Sequence, residues 1–134
     1  MTQTIHVDSN VLLDNNTLKN VLNKTYVKKG QFRVVASPFA LSEVYAKTLS
    51  CNLPQGVELY WFTEDSWKEF TSIVNDLLSE IKWLGLYDIL IVATALADAH
   101  AKFLLTIDKQ IINSRAIRDR AMKKGLRITD PYSI

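Results

Sequence analysis

The chain is short of the residues that staple small proteins together. Its one cysteine, Cys51, excludes an internal disulfide, and 4 Gly and 3 Pro are too few for a collagen-like or low-complexity disordered chain. No long hydrophobic run is present either. The nearest to one, Trp83 to Ala97, is about 15 residues long with Asp88 inside it, against the roughly 20 that a membrane span needs, so a buried helix is expected there. Met1 to Val7 carries neither a cationic patch nor an apolar stretch, and the expectation is a cytoplasmic protein without membrane attachment. What is there instead is the composition of a soluble domain: 134 residues, 48% apolar and 22% charged. On folding, a chain of that length hides roughly two-thirds of its unfolded surface, enough for a self-sufficient core.

Formal charge is +2 but unevenly spread, since Lys109 to Arg127 holds seven basic residues against Asp119 alone and the rest of the chain is net acidic. That asymmetry suits a polyanionic partner, and equally a solvated cationic helix face.

Short segments rich in β-branched and aromatic residues read as five strands: Thr4 to Asp8, Phe32 to Ala36, Val57 to Phe62, Phe103 to Ile107 and Leu126 to Thr129. Helical patterns fill the gaps. Leu18, Val21, Leu22 and Tyr26 fall at helical spacing, and Ser37 before Pro38 suits the cap and first position of a helix. Trp67, Phe70, Val74, Leu77, Leu78 and Ile81 form an apolar face opposite Lys68, Glu69, Ser72, Asp76 and Glu80, with Ser66 and Glu69 as the expected capping box. The turn-rich places, Lys28 to Gln31, Cys51 to Gly56 and Gly125, are short, and no repeat or linker is visible. One α/β domain over residues 1–134 is predicted, with three layers and a central parallel sheet of about five strands, because parallel neighbours need crossover helices. Sites in such sheets gather at the carboxyl ends of the strands.

Four acids fall where solvation does not explain them. Asp8 and Asp108 each close a strand, and each precedes a helix start, so capping alone accounts for either. Asp88 has Ile91, Val92 and Ala95 as helical neighbours; on that apolar face a carboxylate needs a cation, a donor or a proton, unless it caps the helix or joins a buried salt bridge. Glu43 shares a face with Phe39, Ala40 and Ala46, with Lys47 one turn on as its natural surface partner. Two carboxylates about 5 Å apart repel by roughly 3 kcal/mol at an effective dielectric near 20. Four together would rival the stability of a small domain, about 5 to 15 kcal/mol, unless divalent cations or shared protons intervene. Oxygen ligands without a His or Cys grouping favour Mg²⁺ or Mn²⁺ over Zn²⁺.

Four segments in order, Val7 to Asp14, Ser42-Glu43-Val44, Asp88 to Leu96 and Leu105 to Asp108, resemble the PIN-domain ribonucleases, the superfamily that includes VapC-type toxins. The resemblance spans nearly the whole chain. It implies an α/β/α sheet fold and an acidic pocket that binds Mg²⁺ or Mn²⁺ and cleaves RNA. Asp8, Glu43, Asp88 and Asp108 would be its metal ligands and catalytic acids, and Asn10 and Thr106 would support them by hydrogen bonding. It also implies a homodimer and, for the toxin of a toxin–antitoxin pair, an antitoxin protein. One departure is the segment Val44 to Gly56, shorter than the helical hairpin many VapC-type toxins carry there.

Beside such a pocket, Lys109, Arg115, Arg118, Lys123, Lys124 and Arg127 would hold the RNA backbone. Trp61, Trp67 and Trp83 are expected in the core or a subunit contact rather than stacked on bases. His6 and His100 are expected to be structural or exposed, Asp14 a surface acid at a helix end, and Asp98, ten helical residues or about 15 Å beyond Asp88, outside the pocket. The alternative is a PIN-like module that binds RNA or protein with little or no cleavage.

Overall fold

The structure, a computed structural model, describes residues 2–50 and 52–134. Met1 and Cys51, which open two of the stretches read above, lie outside the described residues. The elements run β1 (Gln3–Val7), α1 (Ser9–Leu12), α2 (Asn15–Leu22), α3 (Thr25–Lys28), β2 (Phe32–Ala36), α4 (Pro38–Thr48), β3 (Val57–Leu59), α5 (Glu64–Glu80), α6 (Leu86–Ala97), β4 (Ala101–Leu105), α7 (Lys109–Ile112), α8 (Arg115–Lys124) and β5 (Arg127–Thr129). All strand pairs are parallel, in the order β3-β2-β1-β4-β5. This is the expected α/β/α architecture, with β1 at the centre.

Burial explains the strand positions. Ile5 and Val7 of β1, Val34 and Ala36 of β2, and Leu104 and Leu105 of β4 are at most 2% exposed, as befits a sheet covered on both faces. Helix α6 buries Ile89, Ile91, Val92, Ala93, Ala95 and Leu96, so the long apolar run is a helix enclosed nearly all round. Among the described residues no helix is long and apolar enough to cross a membrane.

Topology then creates the site. From β1 the chain steps outward to β2 and β3, then crosses to β4 on the other side of β1 and on to β5. Right-handed crossovers put α1 to α4 on one face and α5 to α8 on the other, and α5 is tied to α8 through Arg120 with Glu80 (2.6 Å) and Asp76 (3.7 Å), and through Lys124 with Glu69. The connections after β1 and β4 therefore leave in opposite directions and open a crevice beyond the carboxyl ends of these neighbouring strands. Helix α4 reaches α6 at this edge.

Several local expectations are corrected. Strands β1 and β4 end at Val7 and Leu105, so Asp8, Thr106, Ile107 and Asp108 stand just beyond them. Strand β3 ends at Leu59 because the chain leaves this edge of the sheet, with Tyr60 N–H making a last bond to Ala36 C=O (2.9 Å); β5 begins at Arg127 rather than Leu126. The Leu18 to Tyr26 pattern is split into α2 and α3. Helix α5 starts earlier than expected, and its capping box joins Thr63 and Ser66, while Glu69 is free to pair with Lys124. Phe70 and Leu77 of its expected face are buried, but Trp67 and Leu78 are exposed.

The tryptophans are not core residues. Trp61 is 77% exposed and Trp83 56%: the first follows an edge strand with no sheet beyond it, the second lies in the connection between α5 and α6. After α4 the chain turns at Leu49, in the left-handed region at φ 58°, and enters β3 within eight residues, with no helix between them among the described residues.

Candidate metal centre

Asp8 and Asp108 cap helices and face the crevice at once. Asp8 Oδ1 accepts the Ser9 N–H that opens α1 (2.7 Å), and its Oδ2 accepts the Thr106 hydroxyl (2.7 Å) and the Asn10 amide (3.3 Å). The Thr106 hydroxyl, having given its proton to Asp8, accepts from Asn10 Nδ2 (3.2 Å) and from Asp108 N–H (3.1 Å). Asn10 Oδ1 takes the Ile107 N–H (3.3 Å). The loop after β4 is thus laced to the turn after β1. Asp108 in turn caps α7 through Gln110 N–H (2.9 Å). A carboxylate has about four lone-pair sites on its two oxygens, and capping uses only part of that capacity, so the two sequence readings of these acids are compatible.

Glu43 arrives from α4 and Asp88 from the first turn of α6. Among the described residues, Asp8, Glu43 and Asp88 each offer an oxygen within 4.8 Å of the others. Asp108 stands outside this trio but close enough for its charge to act on Asp8 and Asp88. Glu43 accepts a hydrogen bond from Ser9 Oγ, and the Glu43–Lys47 surface pair suggested by helical spacing is absent from the ion pairs of the described residues. A buried donor across the α1–α4 contact wins over an exposed pair worth about 0.3 to 0.5 kcal/mol. Lys47 instead lends its charge to Asp88.

Asp88 neither caps α6, whose N-cap is Gly85, nor pairs with a cation among the described residues. Its carboxyl is pushed up to about 6 by burial first, then by the charges of Asp8, Glu43 and Asp108, with Lys47 pulling weakly the other way. Asp8, 2% exposed, is also raised: burial outweighs the bonds from Thr106 and Ser9, and Glu43 and Asp108 add to it. Three converging carboxylates, of which Asp8 and Asp88 are pushed up by burial and by neighbouring charge, form a hard, all-oxygen donor set, and the residues fit Mg²⁺ or Mn²⁺.

The remaining candidates sort by place. Asp98 lies at the amino end of the sheet, where its Oδ2 accepts from Thr4 Oγ1 (2.5 Å) and His6 Nε2 (2.8 Å) and its Oδ1 from His100 N–H (3.0 Å). His6 is thereby structural, and the His100 side chain is exposed. Asp14 is an exposed cap of α2. A cavity of about 700 Å³, lined by Thr4, Arg33, Tyr60, Trp61 and Asp98 among others, opens at this same end, away from the carboxylate trio. Lys109 adjoins Asp108, and Arg115, Arg118 and Lys123 are exposed on α8. Because α8 returns toward the amino end to enter β5, Arg115 and Arg118 sit on its near half and Lys123 about 12 Å farther along the axis from Arg115. Lys124 is occupied by Glu69.

One contributor escaped the sequence reading. Ser9, 3% exposed, bridges the turn after β1 to Glu43. Its signal was a short hydroxyl directly following Asp8, uninterpretable until α4 is known to lie against it.

No family profile matches the sequence, and no curated protein does. Solved structures do. A chain in the crystal structure of VapBC2 from Rickettsia felis bound to a DNA fragment from their promoter matches with a TM-score of 0.63 and 14% identity, over 95% of this chain and 98% of that one. A chain in the structure of VapBC-1 from nontypeable Haemophilus influenzae gives a TM-score of 0.63 and 16% identity over 97% and 99%. At such identities the likeness is one of fold, and it extends from end to end: the chain has the PIN-like α/β/α fold.

Proposed function

We propose that the chain is a Mg²⁺- or Mn²⁺-dependent endoribonuclease, with Asp8, Glu43 and Asp88 holding the cation and Asp108 completing the acidic site. The observation that carries this reading is the convergence of three carboxylates, from three separate elements, on a crevice where no cation of the chain pairs with them among the described residues. A divalent ion bound there would supply a water of lowered pKa and stabilise the charge that develops on phosphorus.

The chain's own residues do the rest. Thr106 and Asn10 fix the position of Asp8 through its Oδ2. Lys109, Arg115 and Arg118, at the site end of the molecule, hold the RNA backbone across the crevice, and Lys123 extends the same strip. The VapBC structures among the fold's neighbours support the further reading of a toxin held by an antitoxin protein. The exposed Trp61 supports a homodimer contact.

The test is cleavage of a mixed RNA pool with Mg²⁺, Mn²⁺ or EDTA, with Asp8→Asn in parallel. Metal-dependent cleavage that the variant lacks is expected. Cleavage indifferent to metal or to the substitution rejects the site, and folded protein that binds RNA without cutting it under any condition replaces the nuclease by an RNA-binding module.

A further inference from the structure

Ser9 is buried between two of the carboxylates, and its bonding is unequal. Its N–H is committed to Asp8 Oδ1 (2.7 Å), while its Oγ lies 3.4 Å from that same oxygen and donates to Glu43 Oε1. A serine hydroxyl has a single proton, and the closer acceptor receives it. Ser9 therefore serves Asp8 through the backbone and Glu43 through the side chain.

Glu43 depends on that bond. Asp8 has donors on both oxygens without the Ser9 hydroxyl, from the Ser9 amide, Thr106 and Asn10. Among the described residues, Ser9 is the only side chain hydrogen-bonded to the Glu43 carboxylate. Glu43 is half-buried on α4, and repulsion from Asp8 and Asp88 favours rotamers that swing its carboxylate into water. A buried hydroxyl on a different element opposes this swing.

We propose that Ser9 is a positioning residue that ties back Oε1 of Glu43 and leaves Oε2 facing the cation, so that the third ligand is in place before the ion arrives. The inference rests on the metal-site reading above. It differs from a role as ligand, because Ser9 acts through Glu43, and from a packing role, because its effect lies in metal affinity rather than in folding.

The experiment is Mn²⁺ titration of the purified, RNA-free protein by calorimetry, for the wild type, Ser9→Ala, Ser9→Thr, Glu43→Ala and the Ser9→Ala/Glu43→Ala double variant. Removing a group that orients a ligand costs about 10- to 100-fold in metal affinity, and that loss is expected for Ser9→Ala, with recovery in Ser9→Thr, which keeps the hydroxyl. In the Glu43→Ala background the Ser9 substitution should change nothing further. Equal affinity of Ser9→Ala and wild type overturns the proposal, as does a loss that persists in full without Glu43, which would make the hydroxyl a direct ligand. A wild type that does not bind Mn²⁺ overturns the metal-site reading itself, a result distinct from either.

Discussion

Asp8 at the carboxyl end of the central strands and Asp98 at their amino end are both buried, yet their carboxyls move in opposite directions. Burial is the largest influence on each and pushes both up. At Asp98, hydrogen bonds from His6, Thr4 and the His100 amide overcome it and hold the carboxyl below the usual range. Asp8 also receives several donors, but Glu43 and Asp108 add repulsion and leave it raised. The difference is thus one of depth and of company: Asp8 is the more deeply buried and stands among other acids, whereas Asp98 stands among donors that outweigh its burial. The amino end uses an acid to hold three segments together. The carboxyl end gathers acids at a cost in stability that a bound cation would remove.

Asp88→Asn breaks the comparison most sharply. A supporting residue of a metal site costs about 10- to 100-fold when lost, so removing a ligand should lower RNA cleavage by more than about 100-fold. Because the substitution also removes a charge that its neighbours repel, the metal-free protein at pH 7 should melt at a higher temperature than the wild type. A variant both inactive and less stable would show that Asp88 holds the fold rather than a cation.

Asp98→Ala should do the reverse. It strands the Thr4 hydroxyl, the His6 ring and the His100 amide, and breaking a buried pair of this kind costs about 3 kcal/mol, which corresponds to roughly 10 °C in melting temperature for a domain of this size. Cleavage by the protein that remains folded should be unchanged, since the site lies at the other end of the sheet. A thermal melt and an activity assay on the same preparation check both halves.

The pH dependence of metal-free stability sharpens the contrast. Asp88 titrates at about 6 in the folded state against an ordinary value of 3.8, so the folded chain binds the extra proton between these values and stability falls as pH rises from about 4 to about 6. Asp98 is lowered; its contribution is present above its ordinary value and is lost as pH falls through its folded pKa. Melting temperature without metal should therefore peak on the acid side, near pH 4, and Mn²⁺ should lift the neutral limb. In Asp88→Asn the decline toward neutrality should shrink, leaving the part due to Asp8. An unchanged decline would contradict the assignment.

How much of this was legible depended on what each residue's neighbours in sequence could report. The alternation of strands and helices, and the acids that close two strands, were readable because the reasons for them are local. Convergence was not: Glu43 meets Asp8 only because α4 packs on α1, and helical spacing offered Lys47 as its partner instead. The expectation of a core position for the tryptophans failed for a related reason, since an apolar context at Trp61 does not reveal that the strand before it is at the edge of the sheet. The capping box shifted by one turn because Ser66 can serve equally as a cap or as the partner of Thr63.

Helix α8 carries the comparison from one end to the other within a single element. It begins at the carboxyl end of the sheet and runs about 15 Å toward the amino end, where Lys124 is bound to Glu69. If the site end is where RNA lies, Arg115 and Arg118 release counterions on binding and Lys123 does so less. Each phosphate contact on a single strand contributes about 0.7 to the slope of log affinity against log salt, so Arg115→Ala/Arg118→Ala should flatten that slope by about 1.4, with Lys123→Ala changing it by less than half as much. Arg115 is almost fully solvated and only loosely paired with Asp119, at 3.9 Å, so the double substitution should leave the melting temperature near that of the wild type. Equal slopes for the near and far variants would mean that charge along α8 acts diffusely, and that RNA is aligned on the site by the crevice rather than by this helix.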